Sequence, residues 1–170
     1  ASPYAVGKLC VELYGKVFHD IYGLENVALR YFNVFGPRQN PYSEYAAVIP
    51  RFIHAMLEDR EPTIYGDGEQ SRDFTYIDNV VSANLLASEA GQLQGEAINI
   101  GGGSSVTLNQ VVAHINAILG KRIRVVHADR RPGDVMHSQA DISLAKDRLG
   151  YVPSVSFLEG LNRTIQWYRK

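Results

Sequence analysis

The stretch Leu29 to Arg38, Leu-Arg-Tyr-Phe-Asn-Val-Phe-Gly-Pro-Arg, decides how the chain is read. Its apolar, aromatic start reads as a strand that runs into a loop punctuated by Gly36-Pro37 and carrying Asn33 and Arg38. In an open α/β sheet, ligands collect beyond the carboxyl ends of strands, so this strand exit is the expected edge of a site. Tyr4 and Lys8 lie four residues apart upstream, and Arg72 and Arg131 lie downstream. All four are expected to meet in one cleft.

Working outward, Ser2 and Pro3 form a cap and first-turn pair. Val6, Leu9, Leu13, Val17 and Ile21 then keep helical spacing to about Tyr22, with Gly23 as the stop. Gly7 inside this helix would permit close approach of a backbone or a cofactor. Residues 26–34 are the expected strand, and Val27-Ala-Leu suits a parallel sheet buried on both faces. A polar, Tyr-rich loop follows over 37–45, then a helix from about Val48 to Leu57 with Pro50 in its first turn. Pro62 to Tyr65 is a short strand, Gly66-Asp67-Gly68 a turn, and Arg72 to Tyr76 a further extended piece.

Asp78 is expected to cap a helix reaching about Ala90, and Glu96 to Ile100 is a strand that enters three glycines, Gly101 to Gly103. Thr107 caps the next helix, which Leu119 and Gly120 close; Ile123 to His127 is a strand and Arg130 to Gly133 a basic turn. Helices at about 142–149 and 157–168 end the chain. The alternation predicts the α/β class. Only 26–34 and 96–100 read as strong central strands, fewer than a doubly wound sheet needs. The opening Ala-Ser-Pro-Tyr has no Met and enters a helix at once, so the chain is expected to be cut from a longer one, with the missing strands upstream.

A chain of 170 residues, 45% hydrophobic and 21% charged, is sufficient for a globular domain with a real core. Lys and Arg number 17 against 18 Asp and Glu, a net charge of −1, which gives no overall attraction to nucleic acid or an anionic membrane. The single cysteine, Cys10, permits no internal disulfide and fits a reducing compartment; beside Leu9 and Leu13 it reads as core or interface packing. No apolar run approaches the roughly 20 residues of a transmembrane helix, and no basic-then-apolar leader is present. A cytoplasmic location is expected. His114, His127 and His137 have no metal-ligand spacing, so no metal site is expected.

Tyr4 and Lys8, at i and i+4, project from one helical face. A tyrosine with its ordinary pKa near 10 is a poor base at neutral pH, and a nearby ammonium stabilises its phenolate. The plainer alternative is a surface tyrosine beside a solvated lysine. Asn33 likewise reads as a partner of the loop backbone, Tyr65 as packing beside the turn, and Asp73 and Asp78 as structural. Lys121, Arg122, Arg124, Arg130 and Arg131 read as a solvated face, too restricted for duplex binding. Gly101 to Gly103 are a strand-exit loop, because no Gly-Lys-Ser/Thr follows them.

Four motifs nonetheless occur in a specific order across nearly the whole chain. Ser-Pro-Tyr-Ala-Val-Gly-Lys at 2–8 resembles the Tyr-x-x-x-Lys segment of the extended short-chain dehydrogenases/reductases. Arg-Tyr-Phe-Asn-Val-Phe-Gly-Pro-Arg at 30–38 resembles their next strand and loop. Gly-Asp-Gly-Glu-Gln-Ser-Arg-Asp-Phe-Thr-Tyr-Ile at 66–77 and Arg-Pro-Gly-Asp at 131–134 resemble their nucleotide-sugar clamp. The set looks most like the nucleotide-sugar 4-epimerases, those of UDP-N-acetylglucosamine and UDP-glucose in particular.

The resemblance implies that Tyr4 is the acid/base at the sugar 4-hydroxyl, while hydride passes from C4 to NAD. Lys8 would bind the nicotinamide ribose and depress the Tyr4 pKa, and Tyr31 and Phe32 would line the nicotinamide side. Asn33 would hold the substrate diphosphate, Arg72 and Arg131 would neutralise it, Val48 and Tyr65 would flank the uracil, and Asp134 would accept from the uridine ribose. Ser138 falls where the family separates substrates by bulk, and a small residue there leaves room for an N-acetyl group. Residues 1–36 would be the tail of the NAD-binding domain; residues 37–170 would be mostly substrate domain, with about 75–100 returning to the NAD-binding sheet.

The family's Gly-rich dinucleotide loop and first strands have no counterpart here. The chain is therefore expected to be the C-terminal part of an extended Rossmann-type enzyme. By itself it should bind NAD poorly, turn over no sugar, and need its N-terminal segment. A homodimer through the 4–22 helix is implied for the complete protein. A nucleotide-sugar dehydratase or decarboxylase shares these motifs and stays open as an alternative, as does a non-catalytic nucleotide-binding module.

Overall fold

The computed structural model describes residues 3–42 and 47–170; the Ser2 cap and part of the Tyr-rich loop lie outside the described residues. In chain order the elements are α1 (Pro3–Tyr22), β1 (Asn26–Tyr31), β2 (Val34–Phe35), α2 (Val48–Leu57), β3 (Thr63–Tyr65), β4 (Ser71–Arg72), β5 (Thr75–Tyr76), α3 (Ile77–Glu89), β6 (Gln94–Ile100), β7 (Val106–Thr107), α4 (Leu108–Leu119), β8 (Val126–Ala128), α5 (Ser143–Leu149) and α6 (Phe157–Tyr168). Among the described residues the strands form two-stranded ladders: β1–β6, β2–β5 and β3–β8 are parallel, and β4–β7 is antiparallel. Parallel neighbours require crossovers, and the helices supply them. The α/β class follows.

The expected strand 26–34 breaks in two. Phe32 still extends the β1–β6 ladder, its amide donating to the Ile100 carbonyl at 3.0 Å. Asn33 then takes a left-handed φ of 26°, and Val34 leaves to pair with Thr75. The turn is fixed from outside: Asn33 Nδ2 donates to the Asp73 carbonyl at 2.9 Å and the Thr75 amide donates to the Asn33 carbonyl at 3.3 Å.

The larger core lies among α2, α4 and α6. Helix α2 supplies Ile49, Phe52, Ile53 and Met56 at the i, i+3, i+4, i+7 spacing of one buried face, against Val111, Ile115, Leu161 and Ile165. A smaller core joins Ile98 and Ile100 of β6 to Ala83 of α3 and to Ala145, Leu149 and Tyr151. Thr107 and Gln110 form a reciprocal capping box at the start of α4, as the helix start at Thr107 predicts. Helix α3 instead starts at Ile77, with Tyr76 in the cap position; Asp78 lies within the first turn and pairs with Arg163 at 3.3 Å. The strand expected from Ile123 begins only at Val126, because the Asn116 side chain takes both the Ile123 amide and its carbonyl.

Helix α1 has no buried residue. Val27 and Leu29 are only half-buried, so β1 is not covered on both faces, and Cys10 is exposed rather than in a core. A methyl group at Gly7 would meet nothing within 4 Å, so no close approach occurs there among the described residues. The helix is nonetheless fastened. Asn26 Nδ2 donates to the Gly15 carbonyl at 2.9 Å, and Arg30 pairs with Glu12. Gly95, at φ 74°, lets β6 approach so closely that a Cβ would lie 2.7 Å from Lys16 Cα.

Candidate functional site

A cleft of 220 Å³ opens beside α2, β3 and β4, closed on one side by the loop after β8. Asn33, Val48, Tyr65, Arg72, Arg131 and Asp134 all line it, with Phe52, Phe74 and Leu108 adding apolar wall. Strand alternation sends Ser71 and Arg72 to opposite faces. Ser71 Oγ meets His137 Nδ1 at 3.0 Å, while Arg72 reaches the cleft. Arg72 Nη1 donates to the Ser71 carbonyl at 2.8 Å, and Nη2 donates to Asp134 Oδ1 at 2.5 Å. The basic turn is closed by Gly133 at φ 80° and by Arg130 Nη2 donating to the Asp134 carbonyl at 3.0 Å.

The Arg131 guanidinium lies over the Tyr65 ring, 3.9 Å from its centroid. A hydrogen bond and the charge of Arg131 hold the Tyr65 phenol below its usual range, and Arg51 adds to the same effect. Gln70, buried, donates to the Tyr65 carbonyl at 2.6 Å and fixes the end of β3. Three guanidinium groups against one carboxylate, with apolar and aromatic walls, suit a ligand that joins a planar ring to a polyanion.

Tyr4 and Lys8 share a second cavity of 410 Å³ with Val11, Glu12 and residues 28–31. Lys8 Nζ is 5.5 Å from the Tyr4 ring centroid, and Tyr4 is 75% exposed. The pair forms as its spacing predicts. The expectation that Tyr4, Lys8, Arg72 and Arg131 share one cleft is corrected, because the two sets line separate cavities with no common residue. Tyr31 borders one cavity and Asn33 the other, and the left-handed turn at Asn33 sends the chain from one ladder into the next.

Two expected site residues line neither cavity. Phe32 is half-buried in the β1–β6 ladder, and Ser138 is half-buried with its amide donating to the Ser71 carbonyl at 3.1 Å. Sequence reasoning missed Arg51, Thr63 and Gln70 in the cleft. Arg51 had a legible signal: it is the one Lys or Arg in the apolar helix α2, three residues after Val48. Among the described residues no group of His, Cys, Asp and Glu could hold a metal ion, and no helix is long and apolar enough to cross a membrane.

Residues 1–101 match the NAD dependent epimerase/dehydratase family, and the chain belongs to it. Within that class, it is 49% identical to the UDP-N-acetylglucosamine 4-epimerase of Methanobrevibacter ruminantium, solved with UDP-N-acetylmuramic acid. The match has a TM-score of 0.94 and covers 99% of this chain and 54% of that one. The UDP-glucuronic acid 4-epimerase of Bacillus cereus, solved with UDP-glucuronic acid and NAD, is 38% identical, with a TM-score of 0.88 over 99% of this chain and 52% of that one. The UDP-glucuronate 4-epimerase of Thermodesulfobacterium geofontis is 37% identical over 170 residues, 99% of this chain and 51% of the relative. The chain thus spans about half the length of the curated relatives it matches.

Proposed function

We propose that this chain is the substrate-holding part of an NAD-dependent nucleotide-sugar 4-epimerase. It would act on UDP-N-acetylhexosamine or UDP-hexose through a 4-keto sugar and be inactive alone. The observation that carries this reading is the cleft, which gathers Asn33, Val48, Tyr65, Arg72, Arg131 and Asp134 from segments far apart in sequence. The UDP-sugars held by the two solved relatives support the substrate class.

In this reading the uracil lies between Val48 and Tyr65. Arg131 and Arg72 turn to the diphosphate with Asn33, and charge-assisted forked bonds fix it. Arg72 exchanges Asp134 for phosphate oxygens, which frees the Asp134 carboxylate to accept from the ribose hydroxyls. The sugar remains unanchored and can turn over.

The second cavity fits a nicotinamide riboside: an ammonium and a phenol stand together at its edge, and Val11, Ala28 and Leu29 offer an apolar wall for a planar ring. The cofactor, when bound, supplies reversible hydride acceptance at sugar C4. Tyr4 takes the proton of the 4-hydroxyl at its phenolic oxygen and returns it, Lys8 binds the ribose hydroxyls, and Tyr31 lines the ring. Residues 1–36 act as the tail of the NAD-binding domain, and 37–170 mostly as the substrate domain, with about 75–100 returning to the NAD-binding sheet. The parallel β1–β6 ladder supports that division. An N-terminal NAD-binding segment completes the site, a second copy pairs along α1, and the cytoplasm is the working compartment.

The test is chromatography of UDP-N-acetylglucosamine incubated with the chain and NAD. No UDP-N-acetylgalactosamine is expected from the chain alone. Steady epimerisation would overturn the statement that it is inactive by itself.

A further inference from the structure

Glu12 follows Lys8 by four residues, as Lys8 follows Tyr4, so one face of α1 carries a phenol, an ammonium and a carboxylate. All three line the cavity assigned to the cofactor. A lysine and a glutamate at this spacing pair readily on a helix. Here they do not. Lys8 joins no ion pair among the described residues, and its ammonium lies over the Tyr4 ring. The cause is on the neighbouring strand. Arg30 of β1 donates to Glu12 through Nε at 2.8 Å and through Nη2 at 2.5 Å, so both carboxylate oxygens are taken. This forked pair holds the Glu12 carboxyl below the usual carboxylate range.

The competition for Glu12 is one-sided. A guanidinium offers two parallel donors to a carboxylate, whereas an ammonium offers a point charge. The Glu12 side chain is only 18% exposed, so its charge needs a cation in reach. Without Arg30, the cations one turn away on α1 are Lys8 and Lys16, and Asp20 already holds Lys16 at 2.6 Å. Tyr4 and Glu12 lie on opposite sides of Lys8 along the helix, so a Lys8 drawn to Glu12 turns away from Tyr4. Resting on the assignment of Tyr4 and Lys8 above, we infer that Arg30 is a positioning residue for the reaction: by holding Glu12 it keeps the Lys8 ammonium toward Tyr4 and the cofactor ribose.

The test is NMR of the chain labelled with 15N at the lysine ammonium groups, with circular dichroism to confirm folding. The Lys8 signal is assigned by its loss in Lys8→Gln. Arg30→Met should shift this signal, and Arg30→Met combined with Glu12→Gln should return it to the wild-type position. A shift that persists in the double variant would make Arg30 a fastening of α1 to β1 only and overturn the inference. So would an unmoved Lys8 signal in folded Arg30→Met, or a shift of Lys16 in its place. Glu12→Gln alone should leave the Lys8 signal where it is, and this arm stands even if Arg30→Met does not fold. A shift there would show Lys8 already paired with Glu12 and overturn the inference. No arm contains a ligand, so such a failure leaves the proposed function standing, and UDP binding tests that function separately.

Discussion

Replacing Asp73 with alanine should cost this chain a large share of its stability and loosen the clamp at the same time. The Asp73 carboxylate is fully buried and accepts from three backbone amides: Gly102 at 2.6 Å, Gly103 at 3.1 Å and Ala140 at 3.2 Å. The glycine run makes room for it, since a Cβ on Gly101 would lie 2.8 Å from Asp73 Oδ2. Hydrogen bonds to a charged group contribute about 1.5–3 kcal/mol each, and a buried donor left without a partner costs about 1–3 kcal/mol. The three bonds share one carboxylate and are not additive. A total of about 3–6 kcal/mol is expected, against the roughly 5–15 kcal/mol typical of a domain. Asp73 also follows Arg72 directly, and its carbonyl holds the Asn33 side chain, so loss of the carboxylate frees the strand exit as well. Urea unfolding followed by circular dichroism measures the effect, with Asp73→Asn, which keeps one acceptor oxygen, expected between wild type and Asp73→Ala. A loss under about 1 kcal/mol for Asp73→Ala would refute the reasoning.

Two further perturbations test the frame around the site. Burial, with the Asp73 charge adding to it, pushes the Tyr151 phenol up to about 12. Its folded pKa is raised above the ordinary value near 10. The linked stability is therefore fully present below pH 10 and is lost as pH climbs toward 12. Tyr151→Phe should flatten this alkaline limb in urea melts at stepped pH, at a neutral-pH cost of about 1 kcal/mol for the bond to the Gly101 carbonyl. Gly95→Ala places a Cβ 2.7 Å from Lys16 Cα at φ 74°. It should lower stability by about 1–3 kcal/mol; an unchanged melting temperature would contradict the α1–β6 approach described above.

Much of the frame was legible because its signals are local. The i, i+3, i+4 pattern of α2, the Thr107 start and the Gly120 stop each lie within one or two turns of the structure they specify. The break at Asn33 was not legible, since it depends on a bond to Asp73, 40 residues away. Asp78 was displaced from its cap by two residues because the helix starts on a backbone turn at Tyr76 without a side-chain cap. Within the site, Arg72, Asp134, Tyr65 and Arg131 could be gathered only through a family pattern, as no periodicity links β3 and β4 to the loop after β8. Their partnerships, Arg72 with Asp134 and Arg131 over Tyr65, are products of packing that spacing does not encode. The same holds for the separation of Tyr4 and Lys8 into their own cavity.

Calorimetric titration of the chain with UDP, UDP-N-acetylglucosamine and NAD addresses the half-site most directly. Saturable binding of both UDP ligands is expected, weakened on the order of tenfold or more by Arg72→Ala, with no binding of NAD. Failure of a folded chain to bind either UDP ligand would contradict the assignment of the cleft, and tight binding of NAD would contradict the half-site.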